Sequence, residues 1–121
     1  MPLTRSFRET VKARVDRDPE FRAGLYAEAV RALLDGDLAT AKILLRDFTN
    51  ATIGFEHLST RMEMPTKSVM RMLGPNGNPH ADNLLRVVSL LGQEAQLSVT
   101  VQAKPAPRRR AKHEARELAP A

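Results

Sequence analysis

Stop and start signals cut this chain into pieces short enough to constrain its fold more tightly than its composition does. Asp18-Pro19-Glu20 reads as a helix start. The aspartate can cap free amides, proline suits the first helical turn, and glutamate complements the helix dipole. Gly36 ends the helix that follows, and Asp37 can cap the next one. Gly54 introduces a fourth, short helix. Pro65 forces the residue before it out of helical geometry, so Glu63-Met64-Pro65 reads as a turn, with Thr66 capping a fifth helix. Gly74-Pro75-Asn76-Gly77-Asn78 is dense in turn residues, Asn78-Pro79 repeats the cap-then-proline start, and Gly92 stops the last helix.

Between these signals, apolar residues recur at helical spacing. Residues 4–17 put Phe7, Val11 and Val15 on one face. After Pro19, Phe21, Leu25, Ala29, Leu33 and Leu34 line one side, and residues 38–50 offer Ile43, Leu44 and Phe48. Leu84, Leu85, Val87, Val88, Leu90 and Leu91 make the last helix apolar over so wide a face that part of it suits a dimer interface. These stripes read as core, and Phe7 and Tyr26 are the candidates to leave it and meet a protein partner. Leu97-Ser98-Val99-Thr100-Val101-Gln102 alternates as a strand does. A lone strand would have to pair with a second copy or with another protein.

With 121 residues and 42% hydrophobic content, the chain fits one folded domain, residues 1–102, followed by a basic, flexible tail, residues 103–121. Four Phe, one Tyr and no Trp leave the core to Leu, Val, Ile, Met and Ala, so an all-α fold of five or six helices with a short C-terminal strand is expected. The tail holds six basic and two acidic residues, which is most of the net charge of +5. Its Arg108-Arg109-Arg110 run is either a solvated tail or a source of phosphate contacts without sequence choice. There is no cysteine for disulfides or thiolate metal sites, and His57, His80 and His113 lack metal-ligand spacing. No nucleophile motif, phosphate loop or dinucleotide fingerprint occurs, so neither an enzyme nor a cofactor is expected. No apolar run approaches the ~20 residues of a membrane span. The first residues lack a signal-peptide apolar core, and a cytoplasmic location is expected.

Leu58, Met64, Val69 and Met72 fall at offsets that let two short helices dock around a turn, a helix-turn-helix over residues 55–73. If Val69 and Met72 face inward, the opposite side of the second helix carries Thr66, Lys67, Ser68, Met70 and Arg71. Lys67 and Arg71, four apart, would share a face. Arginine can bridge two acceptors on guanine, and lysine can reach a base edge or a phosphate. A plain helix pair with solvated cations is the alternative.

Ile53-Gly54-Phe55-Glu56-His57-Leu58-Ser59, Met64-Pro65-Thr66-Lys67-Ser68-Val69-Met70-Arg71-Met72-Leu73, the following Gly74-Pro75-Asn76-Gly77-Asn78-Pro79 and Asn83-Leu84-Leu85 resemble the Cro/repressor-like helix-turn-helix superfamily. The chain is more closely similar to its HigA-like "addiction module antidote" antitoxins, over roughly residues 3–102. Where that family usually has a small alanine, a glycine and a glutamine, this chain has Ser59, Glu63 and Phe55. The resemblance implies a homodimeric antitoxin that neutralises a RelE/ParE-like toxin and represses its own operon by binding double-stranded operator DNA. By position, Thr66, Lys67, Ser68, Met70 and Arg71 would face the DNA. An orphan transcriptional regulator, or a protein-interaction module with a vestigial helix-turn-helix, would carry the same pattern.

Overall fold

Six helices follow one another in the computed structural model, which describes residues 5–107: α1 (Arg5–Arg17), α2 (Pro19–Leu34), α3 (Leu38–Ala51), α4 (Gly54–Met62), α5 (Thr66–Met72) and α6 (Ala81–Glu94). Two starts are set by side-chain caps. Asp18 accepts the amide of Phe21 at 3.0 Å ahead of Pro19, and Asp37 accepts that of Thr40 at 3.1 Å. The start of α6 is different. His80 precedes it without a side-chain cap bond, so Asn78-Pro79 is not the cap-then-proline pair its sequence suggests.

Three helices end in one motif, in which two consecutive residues just beyond the helix, the first of them left-handed, donate back to carbonyls of its final turns. In α2, Gly36 donates to Leu33 and Asp37 to Ala32; in α4, Glu63 donates to Thr60 and Met64 to Ser59; in α6, Gln96 donates to Gln93 and Leu97 to Gly92. The motif needs a left-handed residue, and Gly36, Glu63 and Gln96 supply it at φ of 80°, 57° and 59°. Only the first is glycine, so only the first was visible as a stop. Gly92 is no terminator: α6 runs past it. Its role is close approach, since a Cβ there would lie 2.7 Å from the Tyr26 hydroxyl.

The core joins α2 to α6. Tyr26 and Ala29 of α2 meet Leu45 and Phe48 of α3, Phe55, Leu58 and Met62 of α4, Val69 and Met72 of α5, Leu73, and Val87 and Leu91 of α6. The Tyr26 and Phe48 rings lie 5.5 Å apart, tilted by 51°. α1 packs outside this cluster, burying Val15. Arg22 of α2 ties the ends together, donating to the Val15 carbonyl at 2.7 Å and the Ala95 carbonyl at 3.2 Å. Such carbonyls at helix ends are unsatisfied by the helix itself.

Some expected core positions face solvent instead. Leu34, at the last turn of α2, is 80% exposed, and Ile43 is exposed because α3 turns Ala41, Leu45, Phe48 and Thr49 inward. Residues 97–102 form no strand, and no strand occurs among the described residues. The ladder that would define one needs a second chain segment. Of the tail, residues 103–107 are exposed and without regular structure, and residues 108–121 lie outside the described residues. No helix among the described residues is long and apolar enough to cross a membrane.

Candidate nucleic-acid interface

The α4–α5 pair is built on a three-residue turn, Glu63 to Pro65. Pro65 is extended, at φ −62° and ψ 143°, and its carbonyl accepts the amides of Ser68 and Val69 at 2.9 and 3.2 Å. Pro65 rather than Thr66 is therefore the capping residue, and Thr66 opens the helix. The Thr66 hydroxyl turns back to α4 and lies 2.9 Å from that of buried Ser59. The Ser59 hydroxyl also donates to the Glu56 carbonyl at 2.9 Å. The serine that stands where a small alanine was expected thus holds the two helices in register.

Of the four residues expected to lock the pair, Leu58, Val69 and Met72 are buried and Met64 is partly buried against the same cluster. Met62 and Leu73 are buried with them. With Val69 and Met72 inward, Lys67, Met70 and Arg71 are exposed on α5, whereas Thr66 and Ser68 are half-buried at its margins. The sequence of α5, TKSVMRM, contains no carboxylate.

The C-terminal end of α5 and the loop after it are held by two cations of α3 that the sequence does not single out. Lys42 is only 7% exposed and donates to the Gly77 carbonyl at 2.6 Å; Arg46 donates to the Leu73 carbonyl at 3.2 Å. Both belong to α3, one turn apart. Their spacing of four residues announces a shared face, but not the carbonyls opposite it. Positive charge at a helix C-terminus complements the helix dipole.

A second clamp fixes α4 to α6. Arg61 pairs with Glu94 and donates to Gln93 at 3.3 Å, and His57 Nε2 lies 3.4 Å from Glu94 Oε1. These groups tie the pair to α6, as Arg46 ties it to α3.

The two proposed protein-contact residues part company. Phe7 is 52% exposed on α1. Tyr26 is buried, with its hydroxyl donating to the Val88 carbonyl at 2.6 Å, and burial pushes its phenol pKa up. Tyr26 is therefore a core residue, where it was expected to leave the core. A tyrosine of α2 is drawn inward because Gly92 leaves room for the ring and α6 offers a carbonyl for its hydroxyl. Among the described residues no group of three or more His, Cys, Asp or Glu could hold a metal ion.

The fold and the site together define an all-helical domain that displays a short, carboxylate-free helix with two exposed cations. No protein family, curated protein or solved structure matches the chain.

Proposed function

We propose that this protein binds double-stranded DNA sequence-specifically, with α4 and α5 as a helix-turn-helix and α5 entering the major groove. One observation carries the reading: α5 gives Val69 and Met72 to the core and leaves Lys67, Met70 and Arg71 in solvent. A helix anchored this way on one side offers cationic and apolar groups to base edges on the other. Thr66 and Ser68 lie at the margin of that face, where hydroxyls suit phosphate contacts.

The resemblance to HigA-like antidotes extends this reading to an antitoxin that neutralises a RelE/ParE-like toxin and represses its own operon. Homodimers follow from the same reading. Leu85 stands exposed on α6, and the alternating residues 97–102 keep Val99 and Val101 exposed, which suits pairing with a second copy. A dimer would set two α5 helices about 34 Å apart and favour a near-palindromic operator. The basic residues of the tail would steepen salt dependence without adding sequence choice.

The test is a gel shift with the DNA upstream of the protein's own gene. Replacing Lys67 and Arg71 together by Ala is expected to weaken binding at least about tenfold, since each bidentate base contact is worth roughly 1–3 kcal/mol. Both side chains are exposed, so the melting temperature should stay within about 2 °C. Unchanged affinity refutes the DNA-binding reading. Copurification of the product of a neighbouring reading frame tests the antitoxin reading separately, because an orphan regulator would bind DNA and retain no such partner.

A further inference from the structure

We infer that Met70 is a specificity-determining residue that reads the C5-methyl group of thymine. The inference rests on the DNA-binding role of α5 and names what that helix reads. Among the described residues, the exposed large apolar side chains are Phe7, Leu34, Ile43, Met70, Leu85, Val99 and Val101. Met70 is the one carried by α4 or α5. It is 49% exposed and lies outside the core cluster that holds its neighbours Val69 and Met72.

Its surroundings select the partner. Lys67 and Arg71 are three residues before it and one after, both exposed, and α5 has no acidic residue. An apolar tip flanked by two cations is poorly suited to an apolar protein groove, where the charges would lose their water unpaired. It suits a DNA groove, whose phosphates and guanine edges take the cations while an apolar group remains to be met. In the major groove that group is the thymine methyl, the one apolar feature of the four base edges. Methionine is long and unbranched, and its flexible thioether adapts to a methyl whose position varies with local DNA shape.

The experiment begins with the full chain and a pool of duplexes randomised over on the order of 20 base pairs, enough for two half-sites. The tightest duplex is then resynthesised with deoxyuridine replacing thymine, one position at a time, which deletes only the C5-methyl. At one thymine of each half-site, the substitution is expected to weaken wild-type binding about fourfold, the worth of one buried methyl-sized group. The Met70→Ala variant should bind the thymine duplex with that same loss and show no further loss with deoxyuridine. Equal sensitivity of wild type and variant to every deoxyuridine, or a selected site without thymine, overturns the assignment to Met70 while leaving DNA binding intact. A pool with no sequence enriched overturns the DNA-binding reading itself, and this inference with it. Because Met70 is outside the core, Met70→Ala is expected to fold, and an unchanged melting temperature verifies that the affinity change is local.

Discussion

The hydroxyl oxygens of Ser59 and Thr66 lie 2.9 Å apart and join the buried side of α4 to the first turn of α5. Ser59 spends its own proton on the Glu56 carbonyl, so Thr66 is the donor to Ser59. The contact crosses the turn at Pro65 and fixes the angle at which α5 leaves the core. Removing either hydroxyl, by Ser59→Ala or Thr66→Val, is expected to lower stability by about 1 kcal/mol, the usual worth of such a bond. The double variant should lose less than the sum, because the two losses are one interaction. Denaturant unfolding of the four proteins measures this, and strict additivity would remove the bond from the account.

Glu63 occupies the left-handed position of the α4 end at φ 57°. A side chain there costs energy that glycine avoids. Glu63→Gly is therefore expected to stabilise the protein by about 1 kcal/mol and raise Tm by roughly 3–6 °C. Part of the gain is offset by the greater freedom of glycine in the unfolded chain. A calorimetric Tm at or below that of the wild type would show that the side chain of Glu63 makes a stronger contribution than its backbone strain takes away.

Both capping aspartates are held below their ordinary carboxylate value of 3.8. For Asp18 the cause is first the Phe21 amide, with the Arg14 side chain adding to it; for Asp37 it is hydrogen bonding from Thr40. A depressed folded pKa ties folding to deprotonation, so the stabilisation is complete above the unfolded value and fades as pH falls through the folded one. The stability curve should drop below about pH 4. Asparagine caps nearly as well and does not titrate. The Asp18→Asn, Asp37→Asn double variant is expected to match the wild type near pH 7 and to show a shallower acid limb in urea unfolding. An unchanged acid limb would place the titration elsewhere.

How much of the molecule could be read from its sequence depends on the range of the force concerned. Asp18, Pro19, Gly36 and Asp37 act within one turn of chain, and they bounded α2 and the start of α3 before any packing was known. Of the inward set expected from spacing, Leu58, Val69 and Met72 are buried and Met64 partly so; of the outward set, Lys67, Met70 and Arg71 are exposed, whereas Thr66 and Ser68 are half-buried, Thr66 because its hydroxyl turns back to Ser59. Gly92 misled because glycine serves two ends, a left-handed turn or a close approach, and only the ring of Tyr26 against it tells which. Tyr26 itself misled because an aromatic with a hydroxyl suits a surface or a core equally until a carbonyl such as that of Val88 is brought within reach.

The sequence by itself determined where α2 and α3 begin, which face of α5 turns away from the core, and that its outward residues are cationic and apolar together. Tertiary structure alone decided that Ser59 meets Thr66, that Arg46 holds the far end of α5 and Lys42 the loop after it, and that Glu94 receives both Arg61 and His57. The reason is physical: capping and periodicity are settled between residues a few positions apart, whereas these contacts join groups from 7 positions apart, for Ser59 and Thr66, to 37, for His57 and Glu94, that have no relation until the core closes.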